Sequence, residues 1–298
     1  MIIKDVFSKC YNKERYKYLY DLIKDFSFNH AVIKGDVLSM QAYNKCNQRY
    51  YTDIDILLSI DDLPKAQKGL LSHGYKCMCH NRTDRILIIS SSHQLPSYSL
   101  DLPSPWQPLI VDINHDIFWG EYEGRRIDMK TFLEDTTDMI VQDVSIKVLT
   151  PIKAMIQLVL HHYKDMNSIY LLSKCNSINN RMFADLYNLL MNNLNTITLE
   201  NLYNTSLKYN VIPYVYYMLF YTNQLYKSVI LDQYIYAFKT PEGDALIECY
   251  GLCESERKKW RCDFLTRLNS NNIYKLIADD LTVKDIEKIH INERMFRC

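Results

Sequence analysis

Tyr50-Tyr51-Thr52-Asp53-Ile54-Asp55-Ile56-Leu57-Leu58 is the stretch on which the reading of this chain turns. Its alternating, β-branched run predicts a strand, and a strand sends residues i and i+2 to one face. Asp53 and Asp55 therefore project together from the strand's beginning, while Ile54 and Ile56 point to the core. Two neighbouring carboxylates repel, so a pair of this kind ordinarily holds a hard divalent cation. Mg²⁺ bound through one or two carboxylates plus substrate phosphates is the common arrangement. An Asp-x-Asp pattern alone is a weak signal, and its surroundings decide what it means.

Working outward, strand and helix signals alternate. Ala31–Ile33 reads as a short buried strand that leads through Gly35 into a helix over Asp36–Tyr43. Glu14–Phe26 places Tyr16, Leu19, Tyr20, Leu22 and Ile23 at helical spacing. Asp61-Asp62 before Leu63-Pro64 predicts a helix with an acidic cap and Pro in its first turn, ending at His73-Gly74. Tyr75–Cys79, Arg85–Ser91 and Leu109–Phe118 read as successive strands, with Gly120 and Gly124 marking a turn before Arg126–Met129. Short connections and an excess of strands predict a mixed sheet with helices to one side. From Thr150-Pro151 the period becomes helical. Pro151 to His162, Met182–Asn192, Thr198–Lys208, Val215–Leu225 and Ser255–Leu268 are the expected helices.

The ordered motifs around the acidic pair carry a resemblance. His30-Ala31-Val32-Ile33-Lys34-Gly35, then Arg49 to Leu58, then His73-Gly74-Tyr75 resemble the uncharacterised nucleotidyltransferase family of the DNA polymerase β superfamily. That family's pattern is a strand ending in Lys-Gly, a short helix, an Arg, and Asp-hydrophobic-Asp. His93-Gln94-Leu95-Pro96-Ser97-Tyr98 is similar to its His-x-Leu-Pro-x-Tyr, and Val111-Asp112-Ile113-Asn114 to its acidic-hydrophobic-His strand. The likeness covers roughly residues 14–190. It implies an α/β (α+β) chain: a polymerase-β-like catalytic domain with a mixed sheet over residues 1–150, and an all-helical domain over 151–298. It also implies Mg²⁺- or Mn²⁺-dependent transfer of a nucleoside monophosphate from an NTP to an acceptor hydroxyl, with release of pyrophosphate.

Such chemistry uses two metal ions about 3.5–4 Å apart, and a third carboxylate on a neighbouring strand normally completes the acceptor-side metal. Asp112 is the candidate, because a charge inside the apolar run Leu109–Ile113 is costly unless paired or metal-bound. The three carboxylates are expected to gather around one point. Gly35 opens a helix whose N-terminus favours phosphate, and the resemblance assigns the triphosphate to this turn. Asp36 would repel phosphate there, so its side chain is expected to turn away as a helix cap. Arg49 matches the Arg that family members place before the acidic pair, and guanidinium binds phosphate bidentately. Lys34 either adds positive charge at the same place or partners Asp53. His93 matches the family's loop His and would contact acceptor or phosphate. Asn114 stands where the family usually has His, which leaves that position's role open.

Net charge is zero, from 35 basic and 35 acidic residues, so no global field draws the chain to nucleic acid or to an anionic membrane. A small molecule or a peptide or protein side chain is the expected acceptor, and nucleic acid is disfavoured. Arg257-Lys258-Lys259-Trp260-Arg261 with Arg267 reads better as a solvated helix face than as a strand-binding groove. Tyr214, Tyr216, Tyr217, Tyr221 and Tyr226 form a helical stripe expected in the core. His161 matches a family helix position and reads as a packed, hydrogen-bonded residue. Nine scattered cysteines without a framework, no signal-peptide pattern and no bilayer-length apolar run predict free thiols in the cytoplasm. Neither Cys77-Met78-Cys79-His80 nor Cys249 with Cys253 has the paired spacing of a structural zinc site. Two alternatives remain: a toxin-type nucleotidyltransferase acting on RNA or protein, and a catalytically inactive nucleotide-binding module.

Overall fold

The structure is a computed structural model describing residues 2–119, 126–174 and 177–295. Gly120 and Gly124 lie outside these residues, as do Cys175 and Cys298. The chain divides into two compact units. One is built on residues up to Ile117 and on Arg126–Ala154, the other on Phe118, Trp119 and the residues from Met155 onward.

The first unit runs α1 (Ile2–Ile23), β1 (His30–Ile33), α2 (Gly35–Tyr43), β2 (Asp53–Leu58), α3 (Leu63–Ser72), β3 (Lys76–Cys77), α4 (Arg82–Ser91), β4 (Tyr98–Leu100), β5 (Leu109–Asn114), α5 (Met129–Phe132), β6 (Thr137–Val141) and β7 (Val144–Val148). Its seven-stranded sheet has the order β3-β4-β5-β2-β1-β7-β6. It is mixed, since β2 runs parallel to β5 and β1 parallel to β7, while β1 and β2 are antiparallel. Ile54, Ile56 and Leu58 of β2 join Leu109, Val111 and Ile113 of β5 in one core. Against it pack Tyr16, Leu19 and Leu22 of α1, Val37 of α2, and Ala66 and Leu70 of α3. Each fully buried leucine here stabilises the fold by about 1.5–3 kcal/mol. With odd-numbered β5 residues and even-numbered β2 residues committed to that core, the opposite face of the two strands is free to carry polar side chains.

Several expectations need correction. Arg85–Ser91 is not a strand but most of α4. The Asn81 side chain accepts from the Thr83 and Asp84 amides and starts a helix, and over Arg82–Ile89 only Asp84 and Ile88, one turn apart, are buried, while Ile86 and Ile89 face outward. A one-sided helix thus overrides the β propensity of Ile86-Leu87-Ile88-Ile89. The strand at Tyr75 shortens to two residues. Arg126–Met129 ends in α5, capped by the Asp128 side chain. The β6–β7 hairpin has no counterpart among the expected elements. It closes on Gln142-Asp143, both at positive φ (51° and 67°), the geometry of a two-residue hairpin turn without its usual Asn-Gly signature. In α3, Pro64 sits in the first turn and Gly74 (φ 83°) closes the end as expected, but Asp62 makes no cap bond and pairs with Lys65 instead.

α6 (Pro151–Asn167) contains the division between the units. The second unit continues with α7 (Ile169–Leu172), α8 (Asn180–Met191), α9 (Leu199–Lys208), α10 (Ile212–Tyr226), α11 (Val229–Phe238), α12 (Pro241–Ile247), α13 (Phe264–Leu268), α14 (Tyr274–Ile277) and α15 (Val283–Met295). α10 is its hub, packing against α8, α9, α11 and α12. Tyr214, Tyr216, Tyr217 and Tyr221 are buried as expected, whereas Tyr226 is partly exposed and stacks on Tyr187. The region is helical but not all-helical, because β8 (Cys249–Tyr250) pairs with β9 (Lys258–Lys259). Ser255–Leu268 is therefore not one helix. Gly251 sits at φ 104°, and a side chain there would meet the Glu256 carbonyl at 2.5 Å, so the chain folds back on itself at that point. The basic cluster is a solvated face only in part: Lys259 and Arg261 are exposed, whereas Lys258 pairs with Asp285 and Arg267 is buried over Trp260 and Tyr221. Among the described residues, no helix is long and apolar enough to cross a membrane.

Candidate active site

Parallel pairing of β2 with β5 sets Asp55 beside Asp112 and Leu57 beside Asn114. Since the alternate residues enter the core, Asp53, Asp55, Asp112 and Asn114 share the other face of the sheet. Asp53 is half-buried at the strand's start, and Asp55, Asp112 and Asn114 are 6%, 8% and 2% exposed. Sheet register, rather than any loop, therefore brings the three acids to one place.

Their partners are unequal. Asp55 Oδ1 accepts from the Lys34 ammonium at 2.9 Å and from the Asn114 amide at 3.0 Å. Lys34 thus pairs with Asp55, and Asn114 acquires a role that its sequence position left open. Asp112 differs. Burial pushes its carboxyl up to about pH 7, against a hydrogen bond from Ser97, with the negative charges of Asp55 and Asp53 adding to the rise and Lys34 opposing it. Its Oδ1 is buried with no hydrogen-bond partner. A buried acceptor in that condition costs about 1–3 kcal/mol, and a divalent cation bound by the three acids would both satisfy it and relieve their repulsion. The donor set, all carboxylate oxygen, fits Mg²⁺ or Mn²⁺.

Beside the acids lies the turn into α2. Lys34 has φ 58° and ψ −149°, a region nearly confined to glycine, and Gly35 follows at φ 45°. Holding a lysine there costs about 1–3 kcal/mol, and strain of this kind clusters at functional sites. An added Cβ at Gly35 would lie 3.3 Å from the Tyr51 ring, so the turn is closed to larger residues on that side. Asp36 does turn away from the helix N-terminus, but not as a cap. Its fully buried carboxylate accepts from the Asn47 amide at 2.6 Å, the Tyr51 hydroxyl at 2.8 Å and the Gln142 side chain at 2.6 Å. Arg49 is half-buried in the loop between α2 and β2, four residues before Asp53. His93, also half-buried, lies on the segment that runs beside β5. Its carbonyl accepts from the His115 amide, and Leu95 donates to Ile113.

Two residues escaped the sequence reading. Arg15, fully buried in α1, donates to the Thr52 carbonyl at 2.8 Å and lies over the Tyr51 ring, pinning the start of β2. The signal was present, since Arg15 shares a helix face with Leu19 and Leu22 (i+4 and i+7). Ser97, hydrogen-bonded to Asp112, had none, because nothing local in the sequence aligns it with β5.

A model of the family described as "Uncharacterised nucleotidyltransferase" matches residues 14–227, a span that contains every acid and turn residue named above. No curated protein matches. Among solved structures, an antigenic nucleotidyltransferase-like protein from Paracoccidioides brasiliensis is similar over 68% of this chain and 90% of its own, at 12% identity and a TM-score of 0.32.

Proposed function

The chain belongs to the uncharacterised nucleotidyltransferase family, and we propose that it moves a nucleoside monophosphate from an NTP to an acceptor hydroxyl, releasing pyrophosphate. The observation that carries this reading is the unpartnered, buried Oδ1 of Asp112 beside Asp55 on the adjoining strand. Asp53, Asp55 and Asp112 would hold Mg²⁺ or Mn²⁺, as in the DNA polymerase β superfamily that the sequence resembles. The bound metal would neutralise triphosphate charge and lower the pKa of the attacking hydroxyl.

The chain's own groups do the rest. Asp112, whose pKa burial raises to about 7 in the metal-free site, would in its ionised form accept the proton of the acceptor hydroxyl as that oxygen bonds to the α-phosphorus. The bond from the α-phosphorus to its bridging oxygen breaks, and pyrophosphate leaves. The amides at the start of α2 would seat the phosphates, with Arg49 and His93 contacting them. Lys34 holds Asp55 in the present geometry, and on loading its ammonium would pass from Asp55 to the triphosphate.

The acceptor class that fits best is a small molecule or a peptide or protein hydroxyl. Of the basic cluster, Lys258 and Arg267 are engaged within the second unit, which leaves Lys259 and Arg261 as its exposed members, and the chain carries no net charge to draw a polyanion. Free thiols at Cys10, Cys46 and Cys77 suit a reducing cytoplasm. The test is incubation with each α-labelled NTP, Mg²⁺ or Mn²⁺, and a cell extract fractionated into protein, RNA and small molecules. Label should enter the protein or small-molecule fraction and require Asp53 and Asp55; label confined to RNA would favour the toxin-type reading. One observation favours an inactive nucleotide-binding module, namely that Lys34 already supplies a cation to Asp55. NTP-dependent stabilisation with no labelled product in any fraction would decide for it.

A further inference from the structure

A second set of metal-ligating side chains lies on α6, in the second unit and away from the acid-bearing sheet in sequence. His161 Nε2 is 3.4 Å from Asp165 Oδ2, and His162 Nδ1 is 3.9 Å from the same oxygen. One ligand atom from each residue fits within 4.8 Å of the others. His161 and Asp165 stand at i and i+4, one above the other on the helix. The other oxygen of Asp165 faces Lys164, at 3.9 Å, which leaves Oδ2 to the histidines.

His162 gives the cluster its meaning. It is 4% exposed, and neither of its ring nitrogens has a hydrogen-bond partner. A neutral imidazole has one donor and one acceptor, and burying such groups unpaired costs about 1–3 kcal/mol each. The i, i+4 pairing of His161 with Asp165 explains those two residues but does nothing for His162. A cation between Nδ1 of His162 and Oδ2 of Asp165 would. Ligands about 2.1 Å from a tetrahedral ion stand about 3.4 Å apart, close to the two separations measured here, and a modest ring rotation would bring the third into line. His161 and Asp165 are each about one-quarter exposed, so the ion has an entry path and room for an exchangeable water.

We propose that His161, His162 and Asp165 form a site for a zinc-class divalent cation, with two imidazole nitrogens, one carboxylate oxygen and an open position. Nitrogen donors separate it chemically from the all-oxygen set of Asp53, Asp55 and Asp112, which suits Mg²⁺. The site does not depend on the proposed transferase activity.

The experiment uses the full chain, with excess Mg²⁺ to saturate the all-oxygen set and Co²⁺ as the spectroscopic probe. Wild type should take up a single equivalent of Co²⁺ with visible d–d absorption, displaced by Zn²⁺. Asp165→Asn and His161→Gln, at the partly exposed ligands, should each weaken binding by at least about 10–100-fold, the loss that even outer-shell partners cause. Circular dichroism checks that each variant is folded, and the double variant Asp53→Asn/Asp55→Asn should bind Co²⁺ as wild type does. His162→Gln is a further test, and if it fails to fold the other two still decide. No d–d spectrum would overturn the proposal. So would unchanged affinity in both ligand variants, a near-ultraviolet thiolate-to-cobalt band placing the ion on cysteines, or loss of binding in the Asp53/Asp55 variant.

Discussion

Asp36, beneath the Gly35 turn, and Asp112, on β5, are both buried carboxylates of the first unit, and their surroundings are opposites. Asp36 is enclosed by three donors from two separate segments: the Asn47 amide and the Tyr51 hydroxyl of the α2–β2 loop, and the Gln142 side chain of the β6–β7 turn. Asp112 has one donor, Ser97, faces two other acids, and keeps one oxygen bare. Burial alone says little about what a charged side chain is for. A carboxylate with its lone pairs satisfied ties chain segments together, and one left partly unsatisfied among like charges is relieved by taking up a proton or a cation.

The largest expected effect breaks the first half of that contrast. Asp36→Ala leaves three donors at a buried site, and each costs about 1–3 kcal/mol when orphaned. The variant should lose at least about 3 kcal/mol of stability, seen as a lower urea midpoint at unchanged slope. Asp112→Asn should lose little or gain, because it removes a repelled charge while keeping the Ser97 contact possible. Equal destabilisation by the two substitutions would erase the distinction between a structural and a binding carboxylate.

Next in size is the response to ligand. An NTP with Mg²⁺ at a hundred times its dissociation constant should stabilise the wild type by about 2.7 kcal/mol, measured as a rise in Tm. Asp53→Asn with Asp55→Asn should abolish the rise without unfolding the protein, because an amide oxygen at position 55 still accepts from Lys34 and Asn114, and relief of the repulsion with Asp112 offsets the lost charge attraction of the Lys34–Asp55 pair. Asp36 variants that remain folded should keep the rise. If none of the four common triphosphates shifts wild-type Tm in a Mg²⁺-dependent way, the acidic face is not a nucleotide site.

The two regions also differ in how readily they could be read from the sequence. Asp53 and Asp55 announced themselves through strand alternation, and Asp112 through its isolation in an apolar run. The parallel β2–β5 register then converted those patterns into a shared face. Asp36 resisted, because its partners lie 11, 15 and 106 residues away and one of them, Gln142, sits in a hairpin turn with an atypical sequence. α4 was misread because four consecutive aliphatic residues carry a strand propensity that the Asn81 cap and one-sided burial override. In the second unit, the basic run from Arg257 gave no hint that Arg267 would be stacked on Trp260 or that Lys258 would meet Asp285 on α15. Local pattern reports which face a residue shares with its neighbours, and it does not report which distant segment will close over that face.

Proton linkage gives a smaller and more specific effect. Asp112 titrates near 3.8 in the unfolded chain and near 7 in the fold. Between those values the folded state holds the proton and the unfolded state does not, so unfolding releases it. Apo stability should therefore fall as pH rises through this window, by up to about 1.4 kcal/mol per pH unit, and level off above pH 7. Asp112→Asn should flatten that slope, and saturating Mg²⁺ should reverse the ranking by favouring the ionised form. Urea titrations across the window, with and without Mg²⁺, make the comparison. An unchanged slope in Asp112→Asn would assign the pH response to another group.

Arg49 provides the finest discrimination, because its loop is tied at Asn47 to Asp36 and leads directly into Asp53. Its guanidinium either belongs to the scaffold that Asp36 organises or serves the proposed nucleotide. Removing one charge-assisted contact to phosphate costs about 1.5–3 kcal/mol, and with solvent replacing part of it Arg49→Ala should weaken NTP binding by about tenfold, or 1.4 kcal/mol. The urea midpoint should stay where it is, since Asn47, Tyr51 and Gln142 still satisfy Asp36. Isothermal titration with the preferred triphosphate, paired with denaturation of the same sample, separates the two roles. Unaltered affinity with a lowered midpoint would move Arg49 to the scaffold and leave Lys34 and the α2 amides as the cationic side of the site.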